Sequence, residues 1–478
     1  MRLRFLCLFF FMSMILAITA KDNSGDNLRK KSNFITDIDY IPPKEKIKKP
    51  SVLFDAGGNF FLKSRILLKS DGANTYVKLT DGGFDLVPND KWFLNAEGKF
   101  FGRVTFSNDN FFHFGIIGLF NLTNYSLIPL INLDELYLHW KYPIGKVVIG
   151  RSHYNLKAET IFSGLLDAVE LIINVPFLNF KTFVGFSGLL GLLNPYFNPY
   201  AITSYDRSFV SETNLINSKI AIQFNGAQSR RIFFATDFDI YLFSQHINPY
   251  FLMQLDVSSI FGNTGHLVNT FHLGSNFEGK IVQNLFYTLN LSGVFGTNQN
   301  ATTLQMKPLA SFALQTNLRY TFNSTSGAST FVFGYSIGLG VDDNEDFYSD
   351  THGFTKESIN KFYYYGKFDG GFVLNPILSN IQSLSIKYIL TPKFKFNLVK
   401  MSLYTSFYQT FKVYPNGSIS DSDAGKGTVV GSEFDVGLLV NIGRNTSLGF
   451  DYGIFIPEEA YSVNTPKMRA GINISVTF

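Results

Sequence analysis

The 478-residue chain is short of charge, of cysteine and of long unbroken apolar runs. Charged residues make up 16% of it, well under the roughly 25% usual for soluble globular domains. Its single cysteine, Cys7, sits inside an N-terminal leader-like stretch and ahead of most of its apolar region, which argues against a lipoprotein anchor. If that leader is removed, the rest of the chain can form neither disulfides nor thiolate metal sites. No Gly-x-Ser-x-Gly, His-Glu-x-x-His, Walker loop or dinucleotide fingerprint occurs. The seven histidines, at 113, 139, 153, 246, 266, 272 and 352, show no metal-ligand spacing. The run Asp342-Asp343-Asn344-Glu345-Asp346 lacks the glycine of an EF-hand loop and reads as a solvated acidic loop. These absences point away from an enzyme and from any cofactor or resident metal. Helical polytopic membrane proteins carry several long apolar runs and a far more positive hydropathy. Here the mean hydropathy is +0.08, with apolar and polar residues finely interleaved.

Aromatic residues, at 16%, are what the chain has in excess, with 52 Phe and 24 Tyr. Arg2 and Arg4, the apolar stretch Leu6–Leu16 and the Ala17-Ile18-Thr19-Ala20 site form a secretory leader, cleaved after Ala20. Its apolar stretch is too short to span a membrane as a helix, which takes about twenty residues. Residues 21–50, rich in Lys, Asp and Pro, read as a short disordered periplasmic tail. Residues 51–478 hold 31 basic and 32 acidic residues, a balance that gives no footprint for nucleic acid.

After Pro50 the pattern alternates with period two, again and again. Trp92, Leu94, Phe100, Val104 and Phe106 oppose Asn95, Glu97, Lys99 and Arg103. Leu136, Leu138, Trp140 and Tyr142 oppose Glu135, His139 and Lys141. Phe234, Phe238 and Ile240 oppose Asp237 and Asp239, and Leu448, Phe450 and Ile454 oppose Asp451. Sandwich strands are shorter, and a packed core would not tolerate unpaired charges on one whole face. Segments of ten residues or more, apolar on one side and polar on the other, fit strands that cross a membrane at a tilt. The charge-free stretches 110–133 and 182–205 contain Pro129, Pro195 and Pro199 and suit strand and loop better than a helix. The fold expected is all-β: a transmembrane antiparallel barrel over 51–478 with about eighteen strands, range 16–20. Long loops are expected at 192–217, 342–360 and 415–430.

The chain ends Arg469–Phe478, RAGINISVTF, with Ile472, Ile474, Val476 and Phe478 on one face. This resembles the C-terminal assembly signal of bacterial outer-membrane proteins, which implies the barrel-assembly machinery as a partner. Two further segments, Leu133–Tyr154 (LDELYLHWKYPIGKVVIGRSHY) and Gly431–Tyr461 (GSEFDVGLLVNIGRNTSLGFDYGIFIPEEAY), resemble the alginate-export type of outer-membrane porin. Ser152 and Glu458 depart from that pattern, and the strongly basic lumen of the family's alginate exporter has no counterpart here. The resemblance therefore implies a porin-like architecture and says nothing of the substrate.

The inward parity supplies the candidate lumen residues. The basic ones are Lys99, Arg103, Lys141, Arg151, Arg319, Lys387 and Lys395, with His139 beside them. The acidic ones are Glu97, Glu135, Glu170, Asp237, Asp239, Glu278, Glu433, Asp435 and Asp451. Rings of charge tune pore selectivity, and a balanced set implies weak discrimination. The function expected is an integral outer-membrane channel, surrounded by lipid, for passive passage of small hydrophilic solutes. The alternatives are a barrel-anchored adhesin, favoured by Tyr196, Phe197, Tyr200 and Tyr205, or a hydrophobic-substrate transporter, which would need an apolar plug. The sequence leaves the oligomeric state open.

Overall fold

The structure, a computed structural model, describes residues 53–68, 77–78, 84–85, 92–107, 109–123, 127–175, 178–187, 230–261, 267–299, 306–340, 362–366 and 368–477 apart from 394–398, 422 and 463. The leader, the tail, Lys395, Phe478 and the loops expected at 192–217 and 342–360 lie outside these residues. Contacts divide the chain into 1–50 and 51–478, and everything described belongs to the second part.

Twenty strands follow one another: β1 (Leu53–Leu68), β2 (Val77–Lys78), β3 (Phe84–Asp85), β4 (Trp92–Ser107), β5 (Asn110–Thr123), β6 (Leu127–Tyr142), β7 (Gly145–Asn155), β8 (Ser163–Val175), β9 (Leu178–Phe186), β10 (Arg231–Leu242), β11 (Gln245–Asp256), β12 (Val268–Val282), β13 (Leu285–Gln299), β14 (Met306–Ser324), β15 (Gly327–Gly338), β16 (Ile381–Pro392), β17 (Val399–Lys412), β18 (Val429–Ile442), β19 (Thr446–Pro457) and β20 (Lys467–Thr477). β2 and β3 form a two-stranded hairpin of their own. The other eighteen pair antiparallel, each with its neighbour, and β1 pairs with both β4 and β20, so the sheet closes on itself. Closure leaves no long free edge, the condition for a sheet to span lipid. Eighteen is the number read from the alternation.

The outer face is the apolar one. Phe100, Trp140, Leu273 and Phe434 are all about half exposed or more, and Ile116, Leu318 and Phe407 on the same face are exposed too. In lipid these side chains would lie against acyl chains. Near the short-turn end, Tyr320, Phe322, Phe331 and Tyr388 form a row on the outer face, with ring centroids 4.8–6.2 Å apart. Such rows are the aromatic girdle of barrels at the membrane boundary.

Connections sort by length to opposite ends, apart from the three residues between β5 and β6, which fall at the end of the long ones. At one end, with both barrel termini, hairpins turn over two or three residues, as between β6 and β7, β10 and β11, β12 and β13, and β18 and β19. Tight turns need positive φ, supplied by Asp109, Asn284 and Gly443 and, less usually, by Phe243, whose side chain is 96% exposed at the turn tip. The other end carries the long connections 187–230, 339–380 and 413–428. The last lies two residues earlier than the expected 415–430 loop, because β17 ends at Lys412 and Val429 and Val430 already belong to β18.

The wall is irregular at one seam. β6 and β7 pair only over Leu136–Tyr142 and Gly145–Arg151, although β6 begins at Leu127 and β7 continues to Asn155. Gly150 sits at this fork with φ +125°, and a Cβ there would come within 2.3 Å of the Leu136 carbonyl oxygen.

Candidate functional site

Strand order and register bring the inward-parity residues into two zones at different depths. In the half nearer the short turns, the inner wall is polar and its charges are partnered. Lys99 Nζ lies 3.2 Å from Asp134, Glu135 lies 3.0 Å from His113 Nε2, and Lys141 Nζ lies 2.7 Å from Asp109. Glu170 faces Lys181 at 3.7 Å. His246 stands between Asp239, 2.6 Å from Nε2, and Glu278, 2.5 Å from Nδ1. Asp451 accepts the Tyr404 hydroxyl at 2.5 Å and the Asn473 amide at 3.1 Å. Three cations lie over aromatic rings: Arg103 over Phe111 at 4.3 Å, Arg319 over Phe286 at 5.0 Å and Lys387 over Tyr404 at 4.7 Å. The Phe111 ring also stacks on His139, with centroids 4.5 Å apart. Such contacts hold a guanidinium in place without cancelling its charge. Glu97 lies on β4, opposite Phe61 and Leu119.

Nearer the long loops the inner wall is apolar, which the expectation of a wet, charged lumen did not foresee. Tyr154, Leu166, Phe183, Phe233, Leu252, Val294 and Leu309 are essentially fully buried there. They are covered by two connections that fold into the barrel. Residues 156–162, between β7 and β8, bring in Leu156, Ile161 and Phe162; residues 362–378, between β15 and β16, bring in Phe362, Tyr365, Phe368 and Leu378. The two meet at Tyr365, whose N–H donates to the Ile161 carbonyl at 2.8 Å while its own carbonyl accepts from Ser163 N–H at 3.2 Å. Its hydroxyl reaches Gln254 Oε1 at 2.7 Å and Thr270 Oγ1 at 2.9 Å. The buried apolar area explains why chain that could lie in water enters the barrel instead.

Wall carboxylates fasten both connections. Asp237 accepts the Lys157 backbone N–H at 3.2 Å, and Lys157 Nζ lies 3.6 Å from Glu278. Glu433 accepts two backbone N–H groups of the strap 362–378, those of Val373 at 2.5 Å and Leu374 at 2.8 Å. Asp435 accepts the N–H of Phe372 at 3.1 Å, and Arg469 donates to the Phe372 carbonyl at 2.8 Å. Gly371, at φ +114°, lets the chain turn directly over the Glu433 carboxylate, where a Cβ would come within 2.7 Å. Glu433 and Asp435 were expected to face open water; they are buried beneath the strap, because successive N–H groups curl around them as a backbone nest does around an anion. A second clasp holds 413–428, with Lys467 Nζ 2.9 Å from both Asp421 and Asp423. Burial raises the Tyr461 phenol well above its ordinary range, and Asp421, accepting its proton at 2.9 Å, adds to that.

Arg151 departs from the lumen reading. It shares its pleat side with Ile149 and Val169, both about half exposed on the outer face. It is nevertheless buried at the fork between β6 and β7, donating to the Leu133 carbonyl at 3.2 Å and lying 3.3 Å from Asp167. Arg151 therefore lies on the outer pleat side and not in the lumen, and the positive φ of Gly150 marks where β7 parts from β6. At the C-terminus Ile472 is exposed on the outer face, and β20 pairs with β1 and β19 through Ile474 and Val476.

No family model matches the chain, and no curated protein does. Solved structures do. OccK11 (OpdR) of Pseudomonas aeruginosa superimposes with a TM-score of 0.50 at 12% identity, covering 89% of this chain and 96% of its own. OccK5 (OpdH) of the same organism gives 0.51 at 10% identity, covering 89% and 98%. At such identities the likeness is one of fold: an eighteen-stranded barrel of the outer-membrane porin kind.

Proposed function

We propose that the protein is an integral outer-membrane channel for passive passage of small hydrophilic solutes, discriminating weakly between ions. One observation carries this reading: a closed eighteen-strand barrel with an apolar outer face encloses an inner wall that, over the half nearer the short turns, is polar and carries charges of both signs. A barrel that served only as an anchor has no use for that wall. The short-turn end, which holds both barrel termini, faces the periplasm, and the long connections face outward. The leader directs export and is removed after Ala20, and the barrel-assembly machinery reads the C-terminal strand. The alginate-export resemblance is taken as kinship of architecture, without alginate as the solute. No catalytic step enters this reading.

A hydrophobic-substrate transporter is a second reading, favoured by the apolar cluster inside the barrel. Planar-bilayer recording of the refolded protein separates the possibilities. Discrete steps with weak preference between K⁺ and Cl⁻ are expected. A folded, heat-modifiable barrel with no conductance would overturn the channel reading. Uptake of an apolar probe would then support the transporter, and its absence a surface-interaction role.

A further inference from the structure

A polar line runs through the apolar half of the interior, beside the buried Arg231–Asp256 pair. On the inner face of β11, β12 and β13, successive rungs carry Gln254, His272, Ser292 and Asn248. The line covers about 20 Å at roughly 3.3 Å per residue. It ends toward the short turns where Asn248 donates to Asp239, one of the partnered wall charges. On either side of it, β9, β10 and β14 present Phe183, Ala235 and Leu309 at similar depth.

Its polar atoms are incompletely paired. Both ring nitrogens of His272, Gln254 Nε2 and Asn248 Oδ1 are buried without a hydrogen-bond partner among the described residues, and Ser292 Oγ has only the Tyr250 hydroxyl beside it. Buried polar groups in native proteins are nearly always paired, so several unpaired ones along a single line call for an explanation. The strap covers His272 and Gln254: Phe362 and Tyr365 stand edge-on to the His272 ring, at 6.4 and 5.8 Å, and the Tyr365 hydroxyl reaches Gln254. If these atoms served only the packed state, apolar residues of the same shape would pack better, since nothing would then be left unsatisfied.

We propose that this line is the hydrated track by which solutes pass the narrowed half of the barrel, opened when Phe362–Tyr365 withdraw from it. Withdrawal exchanges the strap's apolar contacts for water on His272, Gln254 and Ser292, which lowers the cost of opening. The Tyr365 hydroxyl, held by Gln254 and Thr270, is the polar tie that must break. The proposal rests on the channel reading. Its test reads hydration directly, so the two can fail separately.

The chain has one cysteine, at position 7, so single cysteines report cleanly once the leader is gone. Ser292→Cys and Ala235→Cys are labelled with methanethiosulfonate ethylammonium in the folded barrel, checked by heat modifiability. The Ser292→Cys thiol should react at least tenfold faster than the Ala235→Cys thiol. Adding Tyr365→Phe should accelerate labelling at position 292 several-fold and leave position 235 unchanged. Equal rates at the two positions would mean that the whole interior is open and no separate track exists. An inert thiol at position 292 in a barrel that conducts would place the route elsewhere. A folded barrel that labels quickly at position 292 yet carries no current would retain the track and overturn the channel reading alone.

Discussion

Replacing Glu433 by Gln tests whether the strap is a closure held from the wall. The carboxylate accepts two strap N–H groups, Val373 at 2.5 Å and Leu374 at 2.8 Å, from a fully buried position. A carboxamide has one oxygen, so one N–H keeps an acceptor and the other meets an NH₂ group. Leaving one buried N–H without its acceptor costs about 1–3 kcal/mol. At about 1.4 kcal/mol per factor of ten, the closed-to-open ratio should fall about five- to a hundredfold. The strap would not be lost, because Asp435 still holds Phe372 N–H, Arg469 its carbonyl and Ser420 the Ile377 N–H. Single-channel recording should therefore show a higher open probability with the unit conductance little changed. A folded Glu433→Gln barrel with wild-type open probability would show that the strap does not gate, and that the carboxylate only anchors a static loop.

Arg103→Glu with Arg319→Glu should move the reversal potential in asymmetric KCl toward cation preference without unfolding the barrel, since lumen substitutions retune selectivity more than stability; an unmoved potential would remove both residues from the narrow part of the path. Deleting Phe478 should lower outer-membrane levels while refolding in detergent stays largely intact, because one side chain contributes only about 1.5–3 kcal/mol of burial; unchanged membrane levels would refute its role in assembly. Arg231, fully buried 3.2 Å from Asp256, should be costly to remove alone. Arg231→Met strands a buried carboxylate and should cost about 3–5 kcal/mol in urea unfolding of the refolded barrel, with much of the loss recovered on adding Asp256→Leu. Equal loss in the single and double variants would contradict this.

The wall was legible in the sequence because lipid imposes a period of two on every strand that crosses it. Phe100, Phe106 and Trp140 on the outside, and Lys99, Asp237 and Asp451 on the inside, follow from alternation alone. Arg151 shows where alternation stops being informative: Val147, Val148 and Ile149 before it are apolar on both faces, and the register places it on the outer pleat side with Ile149. The fastening of Glu433 and Asp435 was not legible. Their partners are backbone N–H groups some sixty residues upstream, which leave no trace in composition.

The depth at which the interior changes from packed to wet was nonetheless written along the strands. On one inner face β10 reads Phe233, Ala235, Asp237, Asp239, and β8 reads Leu166, Ala168, Glu170. β9 turns from Phe183 to Lys181 and β11 from Leu252 and Tyr250 to Asn248 and His246. The register sets Asp237 opposite both Lys181 and Tyr250, so the changes fall at nearly one level across neighbouring strands. An inner face that is apolar over half its length requires something apolar to face it, because a wide water-filled barrel gives such residues no burial. The matching material is also present in the sequence: Phe362-Tyr363-Tyr364-Tyr365, four consecutive aromatics in a connection rather than a strand. Alternation reports which side of the wall a residue takes. The change of character along one side reports what that side meets, and the two together imply a strap folded into the barrel from the long-loop end.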